Sequence, residues 1–477
     1  MTIAEAAQQL TADDGSSRQP GARLGRLLDA SSLSPLAGDG GTGVATVRGR
    51  IHGVKVIAFC TDATTRGGAV GAAAASRIVD AIDLAVRERC PVLGLWHSGG
   101  AELTEGALSM DGVGQMFAAM IRASGRVPQI SVVLGPAAGA AAYGPALTDL
   151  VIMAAQGRLF VTGPDVVRAV TGEQIDMEGL GGTGAHGKHS GVVHLAAGSE
   201  EAAYAQARQV IQLLNRPGAV RPVRVAGGED LSQLLPVSAR RAYDVHPLIG
   251  AILDPGHGAQ QYLEFQAKWA PNMVTAIGRL GGQTLGVLAN NPLRLGGCLD
   301  SRSAEKAARF VRMCDSFGVP MLVIVDVPGY LPGVRQEWEG VVRRGAKLLY
   351  AFAEAVVPRV TLITRKAYGG AYIAMNSRAL GATSVFAWPN AEVAVMSAEA
   401  AVSVLHRRKL AAVDDEQRPT VLGQLISDHE REASGVAAAV SAGLIDQIIE
   451  PRQTRQRIAE ALVSAPAGRG HHGNIPL

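Results

Sequence analysis

The chain has 477 residues and a formal net charge of +3, a length that allows about two domains of roughly 100–200 residues each. The small net charge gives no reason to expect nucleic acid or a membrane as a partner. The four cysteines lack the C-x-x-C spacing of a zinc ribbon and indicate a reducing, cytoplasmic setting; they are Cys60, Cys90, Cys298 and Cys314. Abundant glycine (58 residues) and few aromatics (4%) favour packed helices and sheets over a β-sandwich.

Two segments could be mistaken for membrane or targeting signals. Residues 1–20 contain acidic residues and lack a basic-then-apolar signal pattern, so we interpret them as a flexible arm. The uncharged segment Ile130–Thr148 is long enough to cross a bilayer. Because Pro136, Pro145 and three glycines interrupt it, we expect a buried strand, turn and helix.

The first half alternates apolar runs with helical patterns. Its predicted strands are Val54–Cys60, Val92–Trp96, Gln129–Leu134 and Arg158–Thr162, and its predicted helices are Ala72–Glu88, about Val113–Ser124 and Ala202–Leu214. We expect a loop at Gly179–Ser190, which is rich in glycine and histidine, and a linker at Arg216–Gly228.

The same order returns in the second half. Strands are predicted at Thr284–Ala289, Pro320–Val325 and Val360–Thr364, and helices at Ser303–Phe317 and Val341–Glu354. Four pairs of residues lie 229 positions apart: Gly53 and Gly282, Gly67 and Gly296, Gly68 and Gly297, and Pro91 and Pro320. Gly139 and Gly370 lie 231 apart, which we interpret as a two-residue insertion. A constant frame of this length predicts two homologous α/β halves with crossover connections.

This organisation predicts an N-terminal domain at 21–228 and a C-terminal domain at 229–477. Duplications of this kind commonly place a ligand cleft where the halves, or two subunits, meet.

Two glycine–alanine turns follow buried strands at equivalent places in the repeat. They are Gly139-Ala140 and Gly369-Gly370-Ala371, each followed by residues that can begin a helix. Such turns leave backbone N–H groups facing a ligand, although small residues also serve close packing. Because the turn is repeated, we favour two oxyanion holes, an arrangement that suits enolate chemistry with one carbonyl on each side.

Side-chain chemistry is less well supported. Ser98 follows His97, but the pair does not satisfy the G-x-S-x-G pattern of a hydrolase, and we expect His97 to hydrogen-bond locally at the end of its strand. The spacing of His186, His189 and His194 fits no standard metal site, and we expect this segment to line a pocket. No metal is predicted.

Seven long motifs resemble those of one family. They are Leu95–Ala101, Ala141–Ala146, Phe160–Asp165, Ala289–Pro292, Asp326–Tyr330, Arg365–Tyr372 and Phe386–Pro389. The chain resembles the carboxyltransferase (β) subunits of biotin-dependent acyl-CoA carboxylases, especially the actinobacterial acetyl-/propionyl-CoA type. The resemblance extends from about Leu24 to Leu477.

The resemblance implies two tandem crotonase-like domains per chain and a hexamer. Its active sites would lie between the N-domain of one subunit and the C-domain of another. Gly370 and Ala371, followed by Tyr372, would hold the ureido carbonyl of carboxybiotin. Gly139 and Ala140 would hold the thioester carbonyl of an acyl-CoA as it becomes an enolate.

Further residues are implied to contact the substrate. They are Gly99, Gly100, Ala101, Tyr143 and Ile373. In the family, an apolar residue at the position of Ile373 is typical of enzymes that accept acetyl-CoA, and Asp is typical of propionyl-CoA enzymes. The family usually has Arg where this chain has Glu102, and Gly where it has Ala140.

The chain lacks the biotinyl-lysine motif Met-Lys-Met and evident ATP-grasp features. The resemblance therefore implies biotin carried on a separate biotinylated α subunit, with a small ε subunit as a further partner of such complexes. Two alternatives stay open at this point: a biotin-dependent decarboxylase or transcarboxylase subunit, and a non-catalytic scaffold motivated by Glu102 and Ala140.

Overall fold

A computed structural model describes residues 17–36, 41–214, 225, 227–238, 241–256, 261–433 and 436–475, without the side chains of 430–433. The described residues form two compact units. The first contains residues up to 214 together with Phe265–Trp269 and 471–475, and the second contains the remainder. The predicted arm falls mostly, and the predicted linker almost entirely, outside the described residues. The domain boundaries stay a prediction.

The first unit is built on one eight-stranded sheet in the order β1-β2-β3-β4-β5-β6-β8, with β7 paired to β5. Its strands are β1 Ser34–Pro35, β2 Val44–Ile51, β3 Val54–Thr61, β4 Val92–Ser98, β5 Gln129–Ala138, β6 Leu150–Met153, β7 Arg158–Phe160 and β8 Leu195–Ala196. Its longer helices are Pro20–Leu27, Ala72–Glu88, Ala107–Ala123, Ala140–Ala146, Pro164–Thr171 and Glu200–Leu214.

The second unit repeats this arrangement in the order β16-β14-β13-β12-β11-β10-β9, with β15 paired to β13. Its strands are β9 Leu263–Phe265, β10 Met273–Leu280, β11 Gln283–Asn290, β12 Met321–Val327, β13 Arg359–Tyr368, β14 Ser384–Ala387, β15 Glu392–Ala394 and β16 Gln447–Ile448. Its helices are His246–Ile252, Ser301–Ser316, Val334–Trp338, Val341–Glu354, Gly369–Ala374, Ala398–Leu405, Arg407–Ala411, Arg418–Ala433, Val436–Ser441 and Thr454–Ser464.

Each sheet combines an antiparallel hairpin with parallel strands. Strands β2 and β3 pair antiparallel, as do β10 and β11, and β3-β4-β5-β6 and β11-β12-β13-β14 are parallel. The central strands are buried on both faces; every residue of β12 is buried, which agrees with the β-branched, apolar sequence of a covered parallel strand. The predicted α/β class and internal duplication are therefore confirmed.

Two glycines at equivalent positions show why the repeat keeps its spacing. Gly68 and Gly297 have φ of 77° and 80°, a conformation that strongly favours glycine. A Cβ on Gly68 would lie 2.0 Å from the carbonyl oxygen of His97, and one on Gly297 would lie 2.5 Å from that of Asp326. The turn after the hairpin therefore packs directly against the end of the next strand in each unit.

Three sequence predictions need correction. Gly179–Ser190 is mostly helical and not a loop, since short helices span Met177–Gly181 and Thr183–Ala185 and a π-helical turn spans His186–Ser190. The helix expected at about 113–124 begins earlier, at Ala107. The central strands run beyond their predicted ends, because backbone pairing continues through the polar and small residues that follow each apolar run.

The repeat register is also corrected. Gly139 and Gly369 each follow the last residue of a central strand, and both have φ of 55°. The equivalent of Gly139 is therefore Gly369, at 230 positions, and Gly370 is equivalent to Ala140. One residue is inserted between the halves, and not two.

Candidate active site

The turn of the first unit lies at the carboxyl end of β5. The Gly139 N–H donates to the carbonyl oxygen of Phe160 at 3.0 Å, which ties the turn to β7. The helix Ala140–Ala146 begins at the next residue. Because the first N–H groups of a helix have no intrahelical acceptor, the N–H of Ala140 can face a ligand.

The predicted substrate-binding loop lies beside this turn. A Cβ on Gly100, whose φ is 109°, would come within 3.0 Å of the carbonyl oxygen of Ala138. The Gly99 N–H donates to the Gly67 carbonyl at 2.9 Å, and the Val70 N–H donates to the Gly100 carbonyl at 2.8 Å. The structure thus brings Gly99, Gly100 and Ala101 next to Gly139.

Tyr143 projects from the helix that follows the turn. Its side chain is 51% exposed, and its ring packs edge-on against Phe117 with 6.3 Å between centroids. The ring is therefore supported on one side and open on the other, as a contact residue for a ligand requires.

The turn of the second unit repeats this design with a more open face. Gly370 is exposed, and a Cβ on it would have no atom within 4 Å. Ala371 and Tyr372 are buried, and the side chain of Ile373 is 46% exposed. Ile373 lies 230 positions after Tyr143, so both units expose a large side chain at the same place after the turn. The Tyr372 hydroxyl finds no hydrogen-bond partner among the described residues, and burial raises its pKa to about 12.

Two residues outside the predicted set also belong to this region. The side chains of Asp326 and Arg365 form a buried ion pair, with Arg365 Nε 3.0 Å from Asp326 Oδ2. Asp326 follows the apolar run of β12 and is its last residue but one, and Arg365 stands four residues before Gly369. The sequence signal that could have identified them is a charged residue directly after the apolar run of each of two neighbouring strands.

The histidines serve the fold. The backbone N–H of His97 donates to Thr61 Oγ1 at 2.9 Å, and its Nδ1 lies 3.4 Å from Nη1 of buried Arg23, a distant partner and not the local one expected. Burial, together with Arg23 and Arg18, lowers the pKa of His97 to about 4, so the ring is neutral near pH 7.

Another histidine, His186, contacts the Leu159 carbonyl oxygen at 2.6 Å through Nε2, and His194 Nδ1 accepts from the Val151 N–H at 3.1 Å.

Glu102 is turned away from solvent. Its Oε1 accepts from the Thr104 hydroxyl at 2.8 Å and from the Thr104 N–H at 3.2 Å, and its Oε2 pairs with Arg66 at 3.2 Å. The Thr104 hydroxyl, the Thr104 N–H and Arg66 lower its pKa. The carboxylate is therefore held by Thr104 of its own loop, and its charge is compensated by Arg66 of the turn that follows β3.

The structure also bears on metal sites and membrane spans. No group of three or more His, Cys, Asp or Glu suited to a metal ion occurs among the described residues. In the same part of the chain, no helix has both the length and the apolar character needed to cross a membrane.

Comparisons with known proteins show the family of the chain. The family model of the carboxyl transferase domain matches residues 9–469. The beta6 subunit of biotin-dependent acetyl-/propionyl-coenzyme A carboxylase of Mycobacterium tuberculosis is 58% identical over 461 residues, which cover 96% of this chain and 97% of that protein. The propionyl-CoA carboxylase beta chain of Rhodococcus erythropolis is 56% identical over 461 residues, with the same coverage.

A solved structure shares the fold over the whole chain. The hexameric transcarboxylase 12S, solved with methylmalonyl-coenzyme A and methylmalonic acid bound, has a TM-score of 0.91 and 38% identity, covering 100% of this chain and 97% of that one. The duplicated fold is thus that of a crotonase-like enzyme. The chain belongs to the carboxyl transferase domain family. It is a carboxyltransferase, and the resemblance drawn from its motifs is confirmed.

Proposed function

We propose that the chain transfers a carboxyl group from carboxybiotin on a partner protein to the α carbon of a short acyl-CoA. The substrates are acetyl-CoA, which gives malonyl-CoA, and propionyl-CoA, which gives methylmalonyl-CoA. The observation that carries this proposal is the pair of turns at equivalent places, Gly139-Ala140 and Gly369-Gly370-Ala371, in a chain of the carboxyl transferase family. Each turn offers backbone donors where a buried strand meets a helix.

The residues present suit a carbonyl ligand at the second turn. The space in front of Gly370 is open, whereas a Cβ on Gly369 would lie 2.8 Å from the carbonyl oxygen of Val395. A planar ureido group could therefore approach the N–H groups of Gly370 and Ala371. When bound, carboxybiotin supplies both the carboxyl group and the base that removes the α-proton.

The chain's own contribution is to bind and orient. In the first unit, the N–H of Ala140 would stabilise the oxyanion of the acyl-CoA enolate, since the N–H of Gly139 donates to the Phe160 carbonyl. Ala140 keeps this backbone donor despite its methyl group. One such donor is worth about 2.7–4 kcal/mol when it faces developing charge. Burial and Arg23 make His97 a weak base, and the Glu102 carboxylate is held by Thr104 and Arg66. We therefore assign removal of the proton to the cofactor.

The choice of acyl-CoA substrate is proposed from the side chain of Ile373. Its side chain is half exposed immediately after the second turn, and an apolar side chain there favours acetyl-CoA with tolerance for longer chains. A carboxylate at this position would change both the volume and the polarity of the pocket.

The assembly is proposed from the relatives. We expect a hexamer like that of transcarboxylase 12S, a biotinylated α subunit as the carboxyl carrier, and a small ε subunit as a further component. A cytoplasmic location agrees with four unpaired thiols, three of which are buried.

The deciding experiment is carboxylation of free biocytin by the purified chain, with malonyl-CoA or methylmalonyl-CoA as donor. Turnover with either donor supports the proposal and excludes the scaffold alternative. If no member of a panel of carboxylated acyl-CoAs supports carboxylation of biocytin, the proposal is contradicted. The decarboxylase or transcarboxylase alternative is separated by the partner: a co-purifying subunit with ATP-dependent biotin carboxylase activity identifies a carboxylase.

A further inference from the structure

The central strand of the second unit is irregular just before its glycine turn. Strands β12 and β13 pair in parallel up to Val325 and Ile363, and pairing resumes at Val327 and Ala367. Asp326 therefore faces a bulge of three residues, Thr364 to Lys366, in the neighbouring strand. Bulges of this kind change the direction of a strand and recur next to active sites.

Asp326 holds this bulge with both carboxylate oxygens. Its Oδ2 accepts from Arg365 Nε at 3.0 Å, and its Oδ1 accepts from the Lys366 N–H at 3.2 Å. Asp326 is 2% exposed and Arg365 8% exposed. Because a buried charge pair needs a fixed geometry to offset its desolvation, the two side chains define where the bulge lies.

The end of strand β11 and the segment 241–243 fix the pair in turn. The Asp326 N–H donates to Asn290 Oδ1 at 3.3 Å, and Arg365 Nη1 donates to the Arg241 carbonyl at 3.1 Å. The Arg365 guanidinium also lies 4.9 Å from the ring centroid of Tyr243. The guanidinium thus has a carboxylate, a carbonyl and an aromatic face around it.

The first unit has the same bulge without the ion pair. Pairing of β4 and β5 breaks between Trp96 and Ser98, so His97 occupies the position of Asp326 and Gly135 that of Arg365. The imidazole takes up the space that a side chain at Gly135 would need, because a Cβ there would lie 2.4 Å from His97 Nδ1. The two turns are therefore positioned by different chemistry.

From this difference we propose that Asp326 and Arg365 are positioning residues for the Gly370-Ala371 turn alone. The ion pair fixes the bulge, the bulge sets the course of β13 up to Tyr368, and β13 delivers the N–H groups of the turn. The proposal rests on the function proposed above, in which this turn serves the biotin side and the Gly139-Ala140 turn the acyl-CoA side.

Kinetics with two separable substrates test the proposal. In the biocytin assay, Asp326→Asn should raise KM for biocytin about tenfold and leave KM for the acyl-CoA within about twofold. Arg365→Gln should have the same effect. The double variant should raise KM for biocytin no more than either single variant does, since the two residues act as a unit. Equal changes in both KM values, or none in either, would overturn the assignment.

A matched control removes another ion pair of the same unit. Arg312 and Glu354 pair between the helices Ser301–Ser316 and Val341–Glu354, and Glu354→Gln should leave the ratio of the two KM values unchanged. If a single variant of the buried pair does not fold, the double variant can be measured in its place, because it leaves no unpaired charge in the interior.

Hydrogen exchange separates this inference from the proposed function. Amide exchange in a peptide covering 366–372 should be at least about tenfold faster in Asp326→Asn than in wild type, with no change in Glu354→Gln. A wild-type protein without biocytin carboxylation would overturn the proposed function, whereas the exchange result would still decide the positioning role. If amide exchange in Asp326→Asn is as slow as in wild type and in Glu354→Gln, the positioning role is overturned.

Discussion

Gly139 and Gly369 share a φ of 55° at the junction between a central strand and a short helix. The 230 positions between them define the register in which the two halves of the chain correspond. This register aligns Ala140 with Gly370 and Tyr143 with Ile373. The exposed side chains that flank the two turns are therefore equivalent by structure.

Stability should distinguish these two glycines. An alanine at a backbone conformation of positive φ costs roughly 1–3 kcal/mol, and Gly139→Ala should cost about that because the nearest atom to its Cβ, the Val161 carbonyl oxygen, is 3.9 Å away. Gly369→Ala should cost more, since its Cβ would lie 2.8 Å from the Val395 carbonyl oxygen. Urea unfolding midpoints check this order; equal midpoints would contradict it.

A bulky side chain at Gly370 should abolish carboxyl transfer. Gly370→Trp would fill the open space in front of the turn and block its donors, with an expected loss of at least about 100-fold in kcat, in line with the worth of one oxyanion donor. Gly423→Trp is the control, because Gly423 is an exposed helical glycine of the same unit with equally open space. Turnover of Gly370→Trp equal to that of the control would refute the assignment of the turn.

Substitution at Ile373 should change acyl selectivity. Ile373→Asp should raise the ratio of kcat/KM for propionyl-CoA to that for acetyl-CoA by about tenfold. This change lies within the roughly 10–200-fold discrimination between substrates that one methylene group gives in a pocket. A substrate panel with the biotinylated partner measures the ratio. Tyr143→Phe tests the equivalent position of the first unit, and an unchanged ratio in Ile373→Asp would remove Ile373 from the acyl site.

Glu102 should matter for stability more than for acyl-CoA binding. Because Thr104 and Arg66 lower its folded-state pKa, the carboxylate adds stability above its ordinary pKa of about 4.5, and this contribution is lost as the pH falls through the lower folded-state value. The unfolding midpoint of Glu102→Gln should therefore lie below that of wild type at pH of about 6, and the difference should shrink towards pH of about 3. KM for acyl-CoA should change less than about threefold; a large fall in KM would show that Glu102 repels the substrate.

Much of the fold was predictable because its signals are local. The helices Ala72–Glu88 and Val341–Glu354 have the bounds expected from their apolar periodicity. Gly67, Gly68, Gly296 and Gly297 marked two turns whose backbone has positive φ. The segment Gly179–Ser190 was misjudged because its glycines suggested a loop, whereas packing stabilises short helical turns there.

The sequence by itself determined the duplication, the alternation of strands and helices and the two glycine turns, since each depends on residue types at short or constant spacing. The tertiary structure alone decided the 230-residue register, the pairing of Glu102 with Arg66 and the pairing of Asp326 with Arg365. These features depend on hydrogen bonds and charge pairs between segments far apart in the chain. Such contacts form only when strands have aligned and water has been excluded, so they leave little trace in local composition.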